Sequence, residues 1–195
     1  MIVSWPLHGY PISEQFFYFA EAYLEASSTM CDRIDEEDKI LSYPKSCVIL
    51  FLASHAVELF LKAAILYRAP DDKLHHNIDG LKQRYDTLFN DKEFNWNLPF
   101  RTGYSGLEPD QIESAKKNVE PLDQVYRYPV NPKRKEWYGV YGFEANTFKS
   151  TLNCLKNDFI RLKKPYLRLT TGCTRTRMRR AGDPEVLSKT TLCRP

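Results

Sequence analysis

The chain lacks the motifs that identify the common classes of enzyme. Its 195 residues contain no glycine-rich phosphate loop, no HExxH zinc motif and no nucleophile elbow. There is also no internal repeat and no low-complexity tract. Histidine is scarce, and the four are His8, His55, His75 and His76. Because none falls after residue 76, a site in the second half of the chain that needs its own imidazole is excluded.

The cysteines give no sign of a disulfide or zinc framework. There are five, an odd number, and none forms a CxxC pair: Cys31, Cys47, Cys154, Cys173 and Cys193. Cys47 and Cys154 lie in apolar helical sequence, where buried thiols are common. We therefore expect reduced thiols and an intracellular protein. The first twelve residues lack the basic and apolar regions of a secretory signal, which also predicts a cytoplasmic location.

A metal site would require His75 or His76 to converge with nearby carboxylates. The candidates are Asp71, Asp72 and Asp79, which are close in sequence. Aspartates in a loop before a helix more commonly serve as caps and solvated turn residues. We therefore predict no metal site and no cofactor.

Positive charge is concentrated at the end of the chain. Residues 165–195 contain seven Lys or Arg and two acidic residues, a net charge of +5, whereas the whole chain carries +3 and residues 1–164 therefore −2. This argues against a nucleic-acid surface spread over the whole body. We predict a domain over residues 1–164 and a basic, flexible tail over residues 165–195. The alternative is that the tail binds phosphates through Arg175, Arg177, Arg179 and Arg180.

One long apolar stretch, residues 42–68, dominates the sequence. It is interrupted by four polar residues on one narrow helical stripe: Ser54, His55, Glu58 and Lys62. A membrane span is the rival interpretation, but charged groups near its middle would each cost roughly 2.5–3.5 kcal/mol. The stretch is therefore predicted to be the buried central helix of a soluble bundle, with no membrane contact.

Helical periodicity extends over most of the remaining chain. A first helix is predicted from an N-cap at Ser13, a third from a cap at Asn77, a fourth over residues 112–126 and a fifth over residues 148–162. The predicted inward face of the first helix is Phe16, Ala20, Tyr23, Ser27, Met30 and Ile34. Residues 90–109 form an aromatic-rich loop expected to fold back on the helices. The predicted fold is an all-α antiparallel bundle of about five helices.

The central helix and its successor resemble the HEPN superfamily of small helical-bundle proteins. The two segments are SHAVELFLKAAIL and HHNIDGLKQRYDTL. Glu58 and Lys62 match the family's E-x3-K motif. The step from His76 to Ile78 and the sequence Arg127-Tyr128-Pro129 are also similar to bacterial members. The resemblance covers residues 13–164 and rests on short motifs.

The resemblance implies one of two kinds of function. Many members of the family are metal-independent ribonucleases that act as dimers, often as toxins or defence proteins. Their R-x4-6-H motif supplies an arginine that neutralises phosphate and a histidine for general acid–base transfer. In this chain the formal match is Arg68 with His75, and it lies between the second and third helices rather than near the last ones. The residue after Arg68 is Ala69, where the family usually has a polar residue.

Members without that motif act as binding, assembly or regulatory modules, and this is the preferred prediction. The chain is expected to be a catalytically silent homodimer that binds RNA or a protein partner in a defence or toxin–antitoxin setting. One alternative is a metal-independent endoribonuclease that uses Arg68 with His75 or His76. A second is a purely structural dimerisation module. The candidate binding residues are His55, Glu58, Lys62 and Arg127, although the first three would equally satisfy one another within the bundle.

Overall fold

The described part of the chain is helical. The computed structural model describes residues 6–34, 39–100, 122–135, 137 and 143–170, and contains no strand in these ranges. Its four helices are α1 (Ile12–Asp32), α2 (Lys39–Arg68), α3 (Ile78–Leu88) and α4 (Ala145–Thr170). Single turns occur at Pro6–Gly9, Lys92–Phe94 and Leu122–Val125. The prediction of an all-α protein is thus confirmed for this part of the chain.

Some sequence predictions concern residues outside these ranges. Most of the predicted fourth helix, residues 112–121, is among them, as are residues 101–109 of the predicted loop and tail residues 171–195. The chain separates into two units, Met1–Lys163 and Lys164–Pro195. Of the second unit, only residues 164–170 are described, and they continue α4.

Helix α1 differs from its prediction in both its start and its buried face. It begins at Ile12 after Pro11, so Ser13 lies inside the first turn and is not the N-cap. The buried residues are Ser13, Phe17, Ala20, Leu24, Ser27 and Cys31. This face has the predicted spacing of fours and threes but is rotated from the predicted one, with which it shares Ala20 and Ser27. Small polar residues are accommodated there because the Ser27 hydroxyl donates to the Ile49 carbonyl at 2.9 Å.

Helix α2 is the apolar centre of the described fold. It begins at Lys39 rather than Ser42, which places Pro44 beyond the first turn. From Ala56 to Ile65, every residue is buried. Its stretch Tyr43–Arg68 is long and apolar enough to cross a bilayer, but most of that stretch is buried inside the protein. Burial of this kind is typical of the core helix of a bundle.

Two sets of contacts give the directions of the long helices. Ser27 of α1 bonds Ile49 of α2, while Phe17 meets Phe60 with ring centroids 5.0 Å apart. Residue numbers therefore fall along α1 as they rise along α2, and the two helices are antiparallel.

The pairing of α1 with α4 follows the same rule. The Lys163 ammonium lies 2.8 Å from the Glu21 carboxylate, and the Cys31 thiol lies 3.6 Å from the Ala145 carbonyl. Helices α1 and α4 are thus antiparallel, so α4 runs in the same direction as α2.

An aromatic cluster joins α2, α4 and the segment after α3. The Phe60 ring stacks on Phe159 at 4.2 Å and meets the Trp96 ring edge-on at 5.2 Å. Tyr85 of α3 donates its hydroxyl to the Phe94 carbonyl at 3.0 Å. Phe94 and Trp96 are buried, which fixes residues 94–96 against the helices.

Two further predictions are wrong in detail. The apolar periodicity suggested that the last helix stops before Pro165, whereas α4 continues through Pro165 to Thr170. Periodicity marks where a helix buries a face, and the backbone remains helical beyond that point.

The second prediction concerned the burial of Cys47 and Cys154. Cys31 is buried, Cys47 is half-buried and Cys154 is exposed, because Cys154 lies one position away from the buried Leu155. All three are free thiols.

Candidate functional site

Helix α2 presents three ionisable side chains on one stripe of its surface. His55, Glu58 and Lys62 are spaced by three and four residues, so they lie on the same side of the helix. Glu58 is 8% exposed and Lys62 is 6% exposed. We refer to these three residues, together with His76 from the loop after α2, as the polar seam.

Glu58 is the centre of the polar seam because its carboxylate meets all three other members. The Lys62 ammonium donates to Oε1 at 2.6 Å. The His76 Nδ1 atom lies 3.0 Å from the same oxygen, and the His55 Nδ1 atom lies 3.4 Å from Oε2. A buried carboxylate is tolerated only when it is paired and hydrogen-bonded, and this arrangement meets that requirement.

These contacts keep the Glu58 carboxyl ionised. Burial raises the pKa of Glu58, but the hydrogen bonds from His55 and Lys62, and the positive charges of these groups, more than offset it. Together they lower the pKa of Glu58 from 4.5 to about 2. The seam therefore contains a permanent negative charge beside the Lys62 cation at neutral pH.

The path of the loop after α2 brings His76 to the seam. Helix α2 ends at Arg68, just before Ala69-Pro70, and the chain then turns back so that His76 reaches a residue 18 positions earlier. The loop ends at Asn77, whose side chain accepts a hydrogen bond from the Gly80 N–H at 2.8 Å and caps α3. The predicted cap at Asn77 is thus confirmed.

The hydrogen-bond geometry assigns a tautomer to the His76 ring. An ionised carboxylate only accepts hydrogen bonds, so the Nδ1 atom facing Glu58 carries the proton. The Lys62 ammonium lies 3.4 Å from that same nitrogen, and as two donors the pair make a close approach rather than a hydrogen bond. The His76 side chain is 87% exposed, so its Nε2 atom is left for a ligand.

His55 is in contact with two aromatic rings. The Tyr23 ring meets it edge-on at 4.7 Å, and the Phe51 ring stacks on it at 5.7 Å. The Arg127 guanidinium lies 5.6 Å from the centre of the Phe51 ring and 5.8 Å from that of Tyr128. Arg127 is therefore connected to the seam through Phe51.

Arg68 and His75 lie apart from these contacts. The Arg68 guanidinium is stacked over the Phe89 ring at 5.3 Å. His75 Nδ1 accepts from the Asn77 N–H at 3.3 Å, and its ring packs so closely on Gly80 that an added Cβ would come within 2.7 Å. Among the described contacts, Arg68 makes neither a hydrogen bond nor an ion pair with a histidine.

Of the residues that the sequence suggested, the structure therefore joins His55, Glu58, Lys62 and His76. Sequence reasoning missed Tyr23 and Phe51 as the rings that hold His55. Phe51 precedes His55 by four residues on α2, a spacing that would have indicated the stack.

The seam is not suited to a metal ion. Within the described ranges, no group of three or more His, Cys, Asp or Glu side chains is placed to hold one. The chemical reason at the seam is that the Lys62 ammonium already occupies the cation position at Glu58 Oε1.

Taken together, the described residues define an all-helical protein with a buried, fully paired carboxylate that reaches the surface at one histidine. In comparisons with known proteins, no family model matches the chain, and no curated protein or solved structure matches it significantly.

Proposed function

We propose that this protein is a HEPN-like helical module that binds RNA at the polar seam and does not cleave it. The observation that carries the proposal is the position of His76, which is exposed and held by Glu58 beside a buried lysine. When the ring carries a second proton, its exposed Nε2–H can donate to a phosphate oxygen while Nδ1–H keeps its contact with Glu58.

Arg127 and Tyr128 extend this surface in a way that suits single-stranded RNA. Both are exposed, and the guanidinium stands beside the Tyr128 ring and over Phe51. A cation for phosphate next to an exposed ring for base stacking is the usual combination in proteins that bind single strands. Lys62 is neutralised by Glu58, so the groups of this surface that can meet a phosphate are the exposed side chains of Arg127 and His76.

The proposal includes the finer architecture and setting that the sequence suggested. It comprises an antiparallel bundle of five helices with an aromatic-rich loop, a homodimer in the cytoplasm, and a defence or toxin–antitoxin role. The domain would occupy residues 1–164, with a basic tail over residues 165–195.

The rival function is a metal-independent ribonuclease that uses Arg68 with His75 or His76. It has less support, because the Arg68 guanidinium lies on Phe89 and is not paired with either ring. Cleavage by general acid–base transfer requires the phosphate-binding cation and the imidazole to meet at one phosphate. The other rival, a purely structural dimerisation module, requires no affinity for RNA.

Binding of single-stranded RNA to the full-length protein at several salt concentrations tests the proposal. We expect affinity to fall with salt because phosphate contacts release counterions. An R127Q variant should bind less tightly and with a shallower salt dependence.

A second variant separates the body from the tail. In the R175Q/R177Q/R179Q/R180Q variant, the tail loses four charges while every residue of the seam is kept. Affinity that survives in this variant and falls in R127Q supports the seam. Affinity that is lost with the tail charges alone, or absent even at low salt, contradicts the proposal and favours a protein partner.

A further inference from the structure

The net charge of the polar seam is set by its two histidines. Glu58 and Lys62 form a 2.6 Å ion pair, so their charges cancel. His55 and His76 approach the two oxygens of that carboxylate separately, at 3.4 and 3.0 Å. Each proton gained by either ring therefore adds one full positive charge to an otherwise neutral seam. Histidine is the side chain whose charge changes in the physiological range of pH.

We propose that the seam binds RNA in a proton-linked manner, tightly when its histidines are charged and weakly when they are neutral. This inference rests on the proposed function, in which the seam is the RNA-binding site. A phosphate at the exposed edge of His76 favours the imidazolium, and by reciprocity the imidazolium favours the phosphate. The seam thereby couples RNA binding to proton uptake without any change in fold.

The groups around each ring are consistent with this coupling. His76 faces the Glu58 carboxylate at 3.0 Å and the Lys62 ammonium at 3.4 Å. A phosphate arriving from solvent would add a second negative charge beside the ring. The 87% exposure of the His76 side chain permits that approach.

His55 has a different set of neighbours. It faces Glu58 from its own helix, the Tyr23 ring edge from α1 and the flat face of Phe51. The Arg127 guanidinium also contacts Phe51, at 5.6 Å from the ring centre. His55 is therefore the inner, more enclosed ring, and His76 is the outer ring that meets the ligand.

The test is the affinity of the full-length protein for a short oligouridylate, measured across pH at constant ionic strength. We expect an increase of about tenfold between about pH 7.5 and about pH 6, since one linked proton changes the binding constant by up to about tenfold per pH unit. The H76Q variant should lose most of this pH dependence, whereas H75Q should retain it. His75 is the matched control because it is the neighbouring exposed histidine and does not contact Glu58.

Calorimetry in two buffers with different ionisation enthalpies supplies a second readout. Binding by the parent protein should take up protons, and binding by H76Q should take up fewer. An H55Q variant tests whether the inner ring contributes to this proton uptake. If H55Q folds poorly, H76Q still tests the proposal, because His76 is exposed and its replacement should not disturb folding.

The outcomes distinguish proton-linked binding from the underlying proposal that RNA binds at the polar seam. If the parent binds RNA with no pH dependence and H76Q still weakens binding, proton linkage is wrong and the seam remains the RNA site. If the parent binds no RNA at any pH, the proposed function fails as well. If H75Q and H76Q lose the pH dependence equally, the effect belongs to the loop and the inference is wrong.

Discussion

The Nδ1 atom of His76 lies 3.0 Å from Oε1 of Glu58, although 18 positions separate the two residues. This contact fastens the loop after α2 to the middle of that helix. It also places an exposed imidazole in direct contact with a buried carboxylate. Glu58 therefore contributes both to the stability of the described helices and to the chemistry of the surface beside them.

Removing the Lys62 ammonium should destabilise the protein, because the Glu58 carboxylate is then buried without its closest cation. We expect K62M to lower the free energy of unfolding by about 3–5 kcal/mol, because Glu58 then loses its closest cation. The double variant E58Q/K62M should recover much of this loss, since it no longer buries an unpaired charge. Chemical denaturation of the three proteins measures both values. Equal stability of K62M and the parent would show that the pair is solvated rather than buried.

Acid should destabilise the protein partly through Glu58. The pKa of Glu58 is about 2 in the folded protein and 4.5 ordinarily, so its contribution is present above about pH 4.5 and is lost as pH falls toward 2. The shift corresponds to up to about 3 kcal/mol. The difference in unfolding free energy between the parent and E58Q should therefore shrink over this interval. A difference that stays constant with pH would contradict the pairing at the seam.

The cap of α3 should contribute measurably to stability. Asn77 accepts the Gly80 N–H at 2.8 Å, so N77A should cost about 0.5–2 kcal/mol. The N77D variant is the matched control because an aspartate oxygen accepts the same hydrogen bond and favours the helix N-terminus. We expect N77D to unfold at nearly the same denaturant concentration as the parent. A similar loss in both variants would mean that the cap is not formed.

The purified protein should not cleave RNA. We expect no products in excess EDTA from the parent or from the H75A/H76A variant, because Arg68 is paired with Phe89 and not with an imidazole. Gel analysis of a labelled RNA, with circular dichroism to show that both proteins are folded, measures this. Cleavage by the parent that disappears in the variant would instead establish a ribonuclease with a displaced motif.

The features that the sequence predicted correctly are those that depend on residues close together in the chain. Helix α2 and the stripe of His55, Glu58 and Lys62 depend on local spacing, and local spacing is visible in a sequence. The cap at Asn77 is equally local. The predicted buried face of α1 was wrong because two stripes on this helix have similar apolar spacing. Which of the two is buried depends on what packs against the helix.

The contact between His76 and Glu58 could not be predicted from spacing. It depends on the route of residues 69–77, which return along α2, and loop routes are not encoded by periodicity. From the sequence, His75 or His76 was therefore associated with Arg68 through the motif, and His76 was not associated with Glu58. The exposure of Cys154 was missed because an apolar sequence does not show which side of the helix is buried. Cys154 is exposed, whereas the adjacent Leu155 is buried.

The most direct test of the account compares H75Q with H76Q in RNA binding at about pH 6.5 and low salt. The two histidines are adjacent and exposed, and only His76 contacts Glu58. We predict that H76Q weakens binding by about three- to tenfold and reduces the salt dependence by about one phosphate contact, while H75Q binds like the parent. Equal affinities for H76Q and the parent, with RNA still bound, would contradict the claim that RNA binds at the polar seam.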